Sequence, residues 1–211
     1  MKEYKLPIGC DVPETIILAD GDFPSHPLAL EWLRQCPYVV CCDGAANTYI
    51  RSGRMPEAIV GDGYSLLPDI KERYASLIHS EAEQETNDLS KAFRFCLSQE
   101  RKRITIMGAT GKREDHTIGN VSLLADYMVQ AEVSMMTDYG IFVPIREDSM
   151  FESYIGQQIS VFNMNSTALS AEGLAYPLSV FTNWWQGTLN EALARHFIIR
   201  TEGKVLVFRV F

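Results

Sequence analysis

Short apolar runs alternate with amphipathic helical stretches through the first two-thirds of the chain, and this alternation restricts the fold more than any other feature. Thr15 to Ala19, Tyr38 to Cys42, Ala58 to Gly61, Ile104 to Met107 and Val133 to Thr137 read as strands. Between them, Pro27 to Cys36, Ala45 to Arg54, Pro68 to Leu77, Asn87 to Leu97 and Thr117 to Gln130 carry helical spacing. Strand–helix alternation implies a largely parallel sheet covered by helices, and right-handed crossovers then put every strand's carboxyl end on one edge, where ligands bind. After about residue 140 the pattern changes to period-two runs at Ile141 to Ile145, Met150 to Tyr154, Gln158 to Phe162, Phe197 to Arg200 and Val205 to Val210. An α/β N-terminal domain with a mostly parallel sheet, residues 1–140, is therefore expected to precede an all-β domain, residues 141–211. The boundary falls near Asp138 to Glu147. Glu202-Gly203 has the composition of a hairpin turn, and the closing Val205 to Phe211 segment reads as a buried strand.

The 211 residues are 46% hydrophobic and 22% charged, enough to bury a sizeable core. A formal net charge of −8 argues against binding nucleic acid or an anionic membrane in bulk, because both need a cationic surplus. The run Ile16 to Ala19 is too short for a signal-peptide core, and no stretch approaches a membrane span, so a cytoplasmic protein is expected. Cysteines 10, 36, 41, 42 and 96 form an odd set without C-x-x-C spacing and read as reduced thiols, with Cys41 and Cys42 as small core hydrophobes.

Four polar clusters follow apolar runs. Asp43-Gly44-Ala45-Ala46-Asn47 places an aspartate after a strand, to cap the next helix or face a ligand. Gly61-Asp62-Gly63-Tyr64-Ser65 repeats the arrangement, as a turn with Ser65 capping the next helix or as a close approach to a ligand. Glu83 to Lys91 crowds carboxylates before a helix that Thr86 or Asn87 can cap, with Asp88 in its first turn. Hard cations such as Mg²⁺ take carboxylate oxygens converging from separate loops, which these clusters can supply. Gly108 to His116 adds glycines that open backbone N–H groups to a phosphate, with Lys112 and Arg113 to neutralise its charge. This last loop is not a Walker A motif, since Ile106 and Arg113 stand where glycine and serine or threonine are required. Neither G-x-G-x-x-G nor G-x-S-x-G occurs, which disfavours dinucleotide redox chemistry and an elbow-type serine hydrolase.

In order and wording these clusters resemble the thiamine pyrophosphokinase family, whose pattern includes D-G-G-A-N, G-D-x-D-S, D-x-T-D-x-x-K and G-G-x-x-x-R-x-D-H. Further on, Gly173 to Leu178 is similar to its G-L-x-Y-P-L segment and Gly187 to Glu191 to its G-x-S-N-E segment. The resemblance implies an α/β domain followed by a C-terminal β-sandwich, a homodimer with thiamine in a cleft between subunits, and transfer of diphosphate from ATP to the thiamine hydroxyl with release of AMP. It implies Mg²⁺ at Asp43, Asp62 and Asp88, and catalytic roles for Asp62, Asp88, Arg113 and Asp115. Asn47, Gly108 and His116 would join Asp43 and Arg113 around the nucleotide, Gln84 and Tyr176 would face thiamine, and Asn190 would be a further binding residue.

Attack of an alcohol on the β-phosphorus builds charge on phosphate oxygens and on departing AMP, which Mg²⁺ and Arg113 can stabilise. Asp88 or Asp115 can accept the alcohol's proton. An aromatic ring such as Tyr176 suits a cationic heterocycle, and equally suits a half-buried strand. Two positions depart from the pattern: Tyr64 replaces the second aspartate of G-D-x-D-S, and Leu189 replaces the serine of G-x-S-N-E. They leave open a catalytically impaired binding protein of the same fold, or a pyrophosphokinase with another alcohol acceptor.

Overall fold

The computed structural model describes residues 1–211 except 8–10, 82 and 84. Strands β1 (Lys2–Tyr4), β2 (Thr15–Leu18), β3 (Val39–Cys42), β4 (Ala58–Gly61), β5 (Ile78–Ser80), β6 (Arg103–Met107) and β7 (Glu132–Met136) are interleaved with helices α1 (Pro27–Gln35), α2 (Ala45–Arg51), α3 (Pro68–Arg73), α4 (Asp88–Ser98) and α5 (Glu114–Tyr127). Strands β5-β4-β3-β2-β6-β7 lie side by side, and all five pairings are parallel.

The period of two along each strand divides the core into layers. Ile16, Leu18, Val39 and Cys41 face Ala29, Trp32 and Tyr49 of α1 and α2. Ile17, Val40 and Cys42 face the opposite way, onto Ala92, Phe93, Leu124 and Tyr127 of α4 and α5. Strands covered on both faces lack polar alternation, which is why they read as continuous apolar runs. Burial holds the Cys41 and Cys42 thiols above the ordinary range and pushes Cys96 up to about 12. In the native protein these three thiols should resist an aromatic disulfide reagent and react only on unfolding, as timed thiol titration with and without denaturant would record. Cys36, Cys41, Cys42 and Cys96 are free; Cys10 lies outside the described residues.

Strands β8 (Gly140–Ile145), β9 (Ser149–Glu152), β10 (Gln158–Asn163), β11 (Leu169–Glu172), β12 (Asn190–Glu191), β13 (His196–Thr201) and β14 (Val205–Val210) make the remainder all-β apart from a 3-10 turn at Trp184–Gly187. Strand β8 pairs antiparallel with β7, and β14, β10 and β12 extend the same sheet to ten strands. A second sheet, β1-β9-β13-β11, packs on this extension around Phe151, Phe197, Val143, Val161 and Val207. The N-terminal strand β1 thus belongs to the β-rich half, paired with β9.

Glu202-Gly203 is not a hairpin turn. Strand β13 pairs with β11 and β9, and β14 pairs with β10 and β8, so the connection crosses from one sheet to the other. A glycine between two period-two runs marks a sharp corner, whether the strands then pair or separate. Here a methyl group at Gly203 would lie 2.7 Å from Ser166 Cα, so the corner folds against the 165–166 backbone. Strands β1, β5 and β12 escape the sequence pattern because they are only two or three residues long, and β11 because Leu169–Glu172 holds a single large apolar residue. Among the described residues no helix is long and apolar enough to cross a membrane.

Candidate active site

From β2 the chain proceeds to one side through β3, β4 and β5, then returns to the other side for β6 and β7. Loops diverge at such a switch point and leave a crevice outside the carboxyl ends of the strands. A cleft of about 450 Å³ lies there. A larger cleft, about 560 Å³, opens at the amino ends of β2, β6 and β7, but none of the polar clusters singled out in the sequence reaches it.

Asp43 is the most constrained residue of the carboxyl-edge cleft. Its φ of +32° lies in the left-handed region, which aspartate tolerates better than most residues. The carboxylate does not cap α2, whose N-cap is Gly44 without a side-chain bond. Oδ2 instead accepts the Ser65 N–H at 2.9 Å, and Oδ1 is buried without a hydrogen-bond partner. Burial, followed by the charges of Asp88 and Asp62, raises its pKa against the bond from Ser65. Gly61 makes this crowding possible: a methyl group there would lie 2.8 Å from Asp43 Cβ and 3.3 Å from Asp88 Cγ.

Asp62 follows β4, and its Oδ1 accepts the Tyr64 N–H at 2.9 Å, closing a tight turn. Ser65 caps nothing, since the N-cap of α3 is Leu67. Asn87 does cap α4, accepting the Ser90 N–H at 2.9 Å, so Asp88 opens the helix. Asp88 Oδ1 receives Lys91 Nζ at 3.1 Å, and that lysine is 3% exposed. A lysine buried to this degree requires an anionic partner.

On the other side of the switch point Lys112, Arg113 and His116 line the cleft. Lys112 Nζ reaches the carbonyl oxygen and Oδ1 of Asp20, each at 3.0 Å. Arg113 grips Asp115 through Nε at 3.1 Å and Nη2 at 2.6 Å, which holds the exposed Asp115 carboxyl down at about 2. Asp115 itself is not among the residues that line the cleft. Asn120 accepts from Asn87 Nδ2 at 3.1 Å and donates to the Ala109 carbonyl at 2.9 Å, tying α5 to α4 and to the loop after β6.

Other predicted positions shape the cleft or lie away from it. Asn47 spends its amide on Ser65 O at 2.8 Å and Leu67 N at 3.0 Å, and the Gly108 carbonyl accepts from Gly21 N at 2.6 Å. Tyr176 and Asn190 come together in the β-rich half, where Asn190 bonds the Tyr176 backbone at 3.1 and 2.8 Å and leaves the tyrosine ring exposed. They do not line the cleft. Gln84 lies outside the described residues.

Sequence reasoning passed over Asp20 and Gly21 and gave Lys91 and Asn120 no role, yet all four line the cleft. For Asp20-Gly21 the signal was present: it follows β2 as Asp43-Gly44 follows β3 and Asp62-Gly63 follows β4. For Lys91 it was present too, as the closing lysine of the D-x-T-D-x-x-K pattern; for Asn120 it was absent, because a helical asparagine reads as solvated surface until its neighbours are placed.

Among the described residues no three carboxylate, imidazole or thiol side chains close into a protein-only metal cage. Mg²⁺ does not need one, since it keeps waters and takes one or two carboxylates together with substrate phosphates. The donor set fits that habit: the orphaned, buried Oδ1 of Asp43 lines the same cleft as Asp62 and Asp88.

Residues 29–137 match the family model described as thiamin pyrophosphokinase, catalytic domain, and residues 140–208 match the one described as thiamin pyrophosphokinase, substrate-binding domain. The chain belongs to the thiamin pyrophosphokinase family. Thiamine pyrophosphokinase 1 of Oryza sativa is 29% identical over 49% of each chain, and thiamine pyrophosphokinase 2 of Arabidopsis thaliana is 31% identical over 42% of each. The aligned region spans about half the length of these curated relatives or less. Thiamin pyrophosphokinase from Candida albicans superposes with a TM-score of 0.80 at 17% identity, covering 100% of this chain and 93% of that one. The Bacillus subtilis thiamine pyrophosphokinase structure gives 0.77 at 20% identity, covering 93% and 98%. The α/β half followed by a β-rich half is thus the fold of thiamin pyrophosphokinases.

Proposed function

We propose that the chain is a thiamine pyrophosphokinase, transferring diphosphate from ATP to the thiamine hydroxyl to give thiamine diphosphate and AMP. The observation that carries this reading is the unpartnered, buried Asp43 Oδ1 in a switch-point cleft shared with Asp62, Asp88, Lys91 and Arg113, all within the span matched by the catalytic-domain model. Asp43, Asp62 and Asp88 would hold Mg²⁺, which when bound neutralises phosphate charge and polarises the phosphoryl group under attack.

The thiamine hydroxyl oxygen bonds to the β-phosphorus as the bridge between the α- and β-phosphates breaks, and AMP leaves with the electron pair. Lys112 and Arg113 lie where they can take the charge of the phosphates. The proton released by the hydroxyl goes to a carboxylate. Asp88, which lines the cleft, and Asp115, held by the cleft residue Arg113, are the two carboxylates that can take it.

In this reading residues 1–140, apart from β1, form the nucleotide-binding catalytic domain, and residues 141–211 together with β1 the thiamine-binding and dimerisation domain of a homodimer. Support comes from Tyr176, Trp185 and Leu189, large apolar side chains left exposed in the β-rich half. The free thiols suit a reducing compartment such as the cytoplasm.

Incubation with ATP, Mg²⁺ and thiamine should yield AMP and thiamine diphosphate in equal amounts, read by chromatography. ADP as the nucleotide product would replace this reading with an ordinary kinase. Turnover of another hydroxymethyl heterocycle with thiamine inert would move the acceptor, and nucleotide binding without any product would leave a binding protein.

A further inference from the structure

We propose that Asp20 is a metal-side carboxylate of the cleft and stands in for the acid that position 64 lacks. The proposal rests on the Mg²⁺-dependent reading above. It concerns a residue outside the span matched by the catalytic-domain model, which begins at residue 29.

Position 64 carries tyrosine, 91% exposed and absent from the cleft lining. The loop that should bring a second carboxylate therefore brings only Asp62. Asp20 approaches the same loop from the other side, at the end of the central strand β2. A methyl group at Gly44 would lie 2.5 Å from Asp20 Oδ2 and 3.1 Å from Ser65 Cβ, so the bare backbone at 44 lets Asp20 come up against the Gly61–Ser65 loop. Asp43 meets that loop at the same residue, through the Ser65 N–H. Asp20 and Asp43 thus follow adjacent strands, lie on either side of the bare backbone at Gly44 and line the same cleft.

An independent observation points to a cation there. Asp43 Oδ1 is buried and unpartnered in the same cleft, a state that costs free energy unless something electropositive is bound. Lys112 pairs with Asp20 Oδ1, and the other oxygen, Oδ2, is the one directed at Gly44. Divalent-cation affinity rises with the number of anionic oxygens offered, so a carboxylate gained at 20 offsets one lost at 64.

The test uses Mn²⁺ as the probe, titrated by electron paramagnetic resonance onto the full chain with α,β-methylene-ATP, whose bridge cannot be cleaved. Asp20→Asn should weaken Mn²⁺ binding by about tenfold or more. Adding Tyr64→Asp to that variant should recover most of the loss, a repair that a carboxylate at 64 could not make if Asp20 served only to anchor Lys112. Wild-type affinity in Asp20→Asn overturns the proposal, as does a loss that Tyr64→Asp cannot repair. If the wild type with nucleotide binds no Mn²⁺, the Mg²⁺ reading fails and takes the proposal with it, an outcome visible before any variant is made.

Discussion

Asp43→Asn should lower kcat by about 10²–10³-fold, the loss typical of removing one preorganised charge-stabilising group from an active site, while making the protein more stable at neutral pH. Asparagine keeps the left-handed φ of +32° that position 43 requires, and its Oδ1 can still accept the Ser65 N–H. What disappears is a carboxylate whose pKa is raised by burial first and then by Asp88 and Asp62. A raised folded-state pKa means that the ionised form is better accommodated by the unfolded chain. The corresponding stabilisation is fully present below the ordinary aspartate range, near pH 3.9, and is lost as pH rises through the higher folded value. The variant cannot ionise, so its melting temperature should match that of the wild type near pH 3 and exceed it at pH 7 in metal-free buffer. Paired thermal melts and initial rates test both halves. A variant that retains more than about a tenth of the wild-type kcat would remove Asp43 from the metal-binding and catalytic centre. Equal melting at pH 7 would show that the carboxylate is not under strain in the free protein.

That opposition between activity and stability also accounts for what the sequence made legible. The strands could be read because burial on both faces demands unbroken apolar runs, and the aspartates after them could be located because loops must follow strands. Their use was harder to assign. Asp43 had the sequence of a helix cap, and only the geometry shows that Gly44 occupies the cap and that the carboxylate turns to Ser65. Asp88 satisfies both descriptions at once: it opens α4 behind a true Asn87 cap and also lies against Lys91 in the cleft. Asn47 carries a family motif position, yet its amide is consumed in holding the 65–67 loop. The Glu202-Gly203 corner failed for a different reason. Local turn chemistry reports where the chain bends, whereas the choice between one sheet and two depends on Phe151, Phe197 and Val207, which are distant in sequence and meet only when the sandwich packs.

Phe93→Ala should destabilise the fold by about 3–5 kcal/mol and weaken nucleotide binding, whereas Phe151→Ala should cost a similar amount and leave nucleotide binding intact. Both rings are buried and stacked. Phe151 lies between Tyr4 at 4.8 Å and Phe197 at 5.1 Å, joining β1 to the second sheet of the β-rich half. Phe93 stacks on Tyr127 at 3.9 Å, and the Tyr127 hydroxyl shares a 2.7 Å hydrogen bond with Ser90. That second contact fixes the spacing between α4, which carries Asp88 and Lys91, and α5, whose start carries Arg113 and His116. Interiors are close-packed, so a void under α4 is felt by the residues it displays. For a chain of this length each 1 kcal/mol shifts the melting temperature by about 2–4 °C, so both variants should melt roughly 6–20 °C lower. Nucleotide affinity measured by calorimetry well below both midpoints then separates the two positions. Equal affinities in the two variants would mean that the α4–α5 spacing does not set the geometry of the phosphate site.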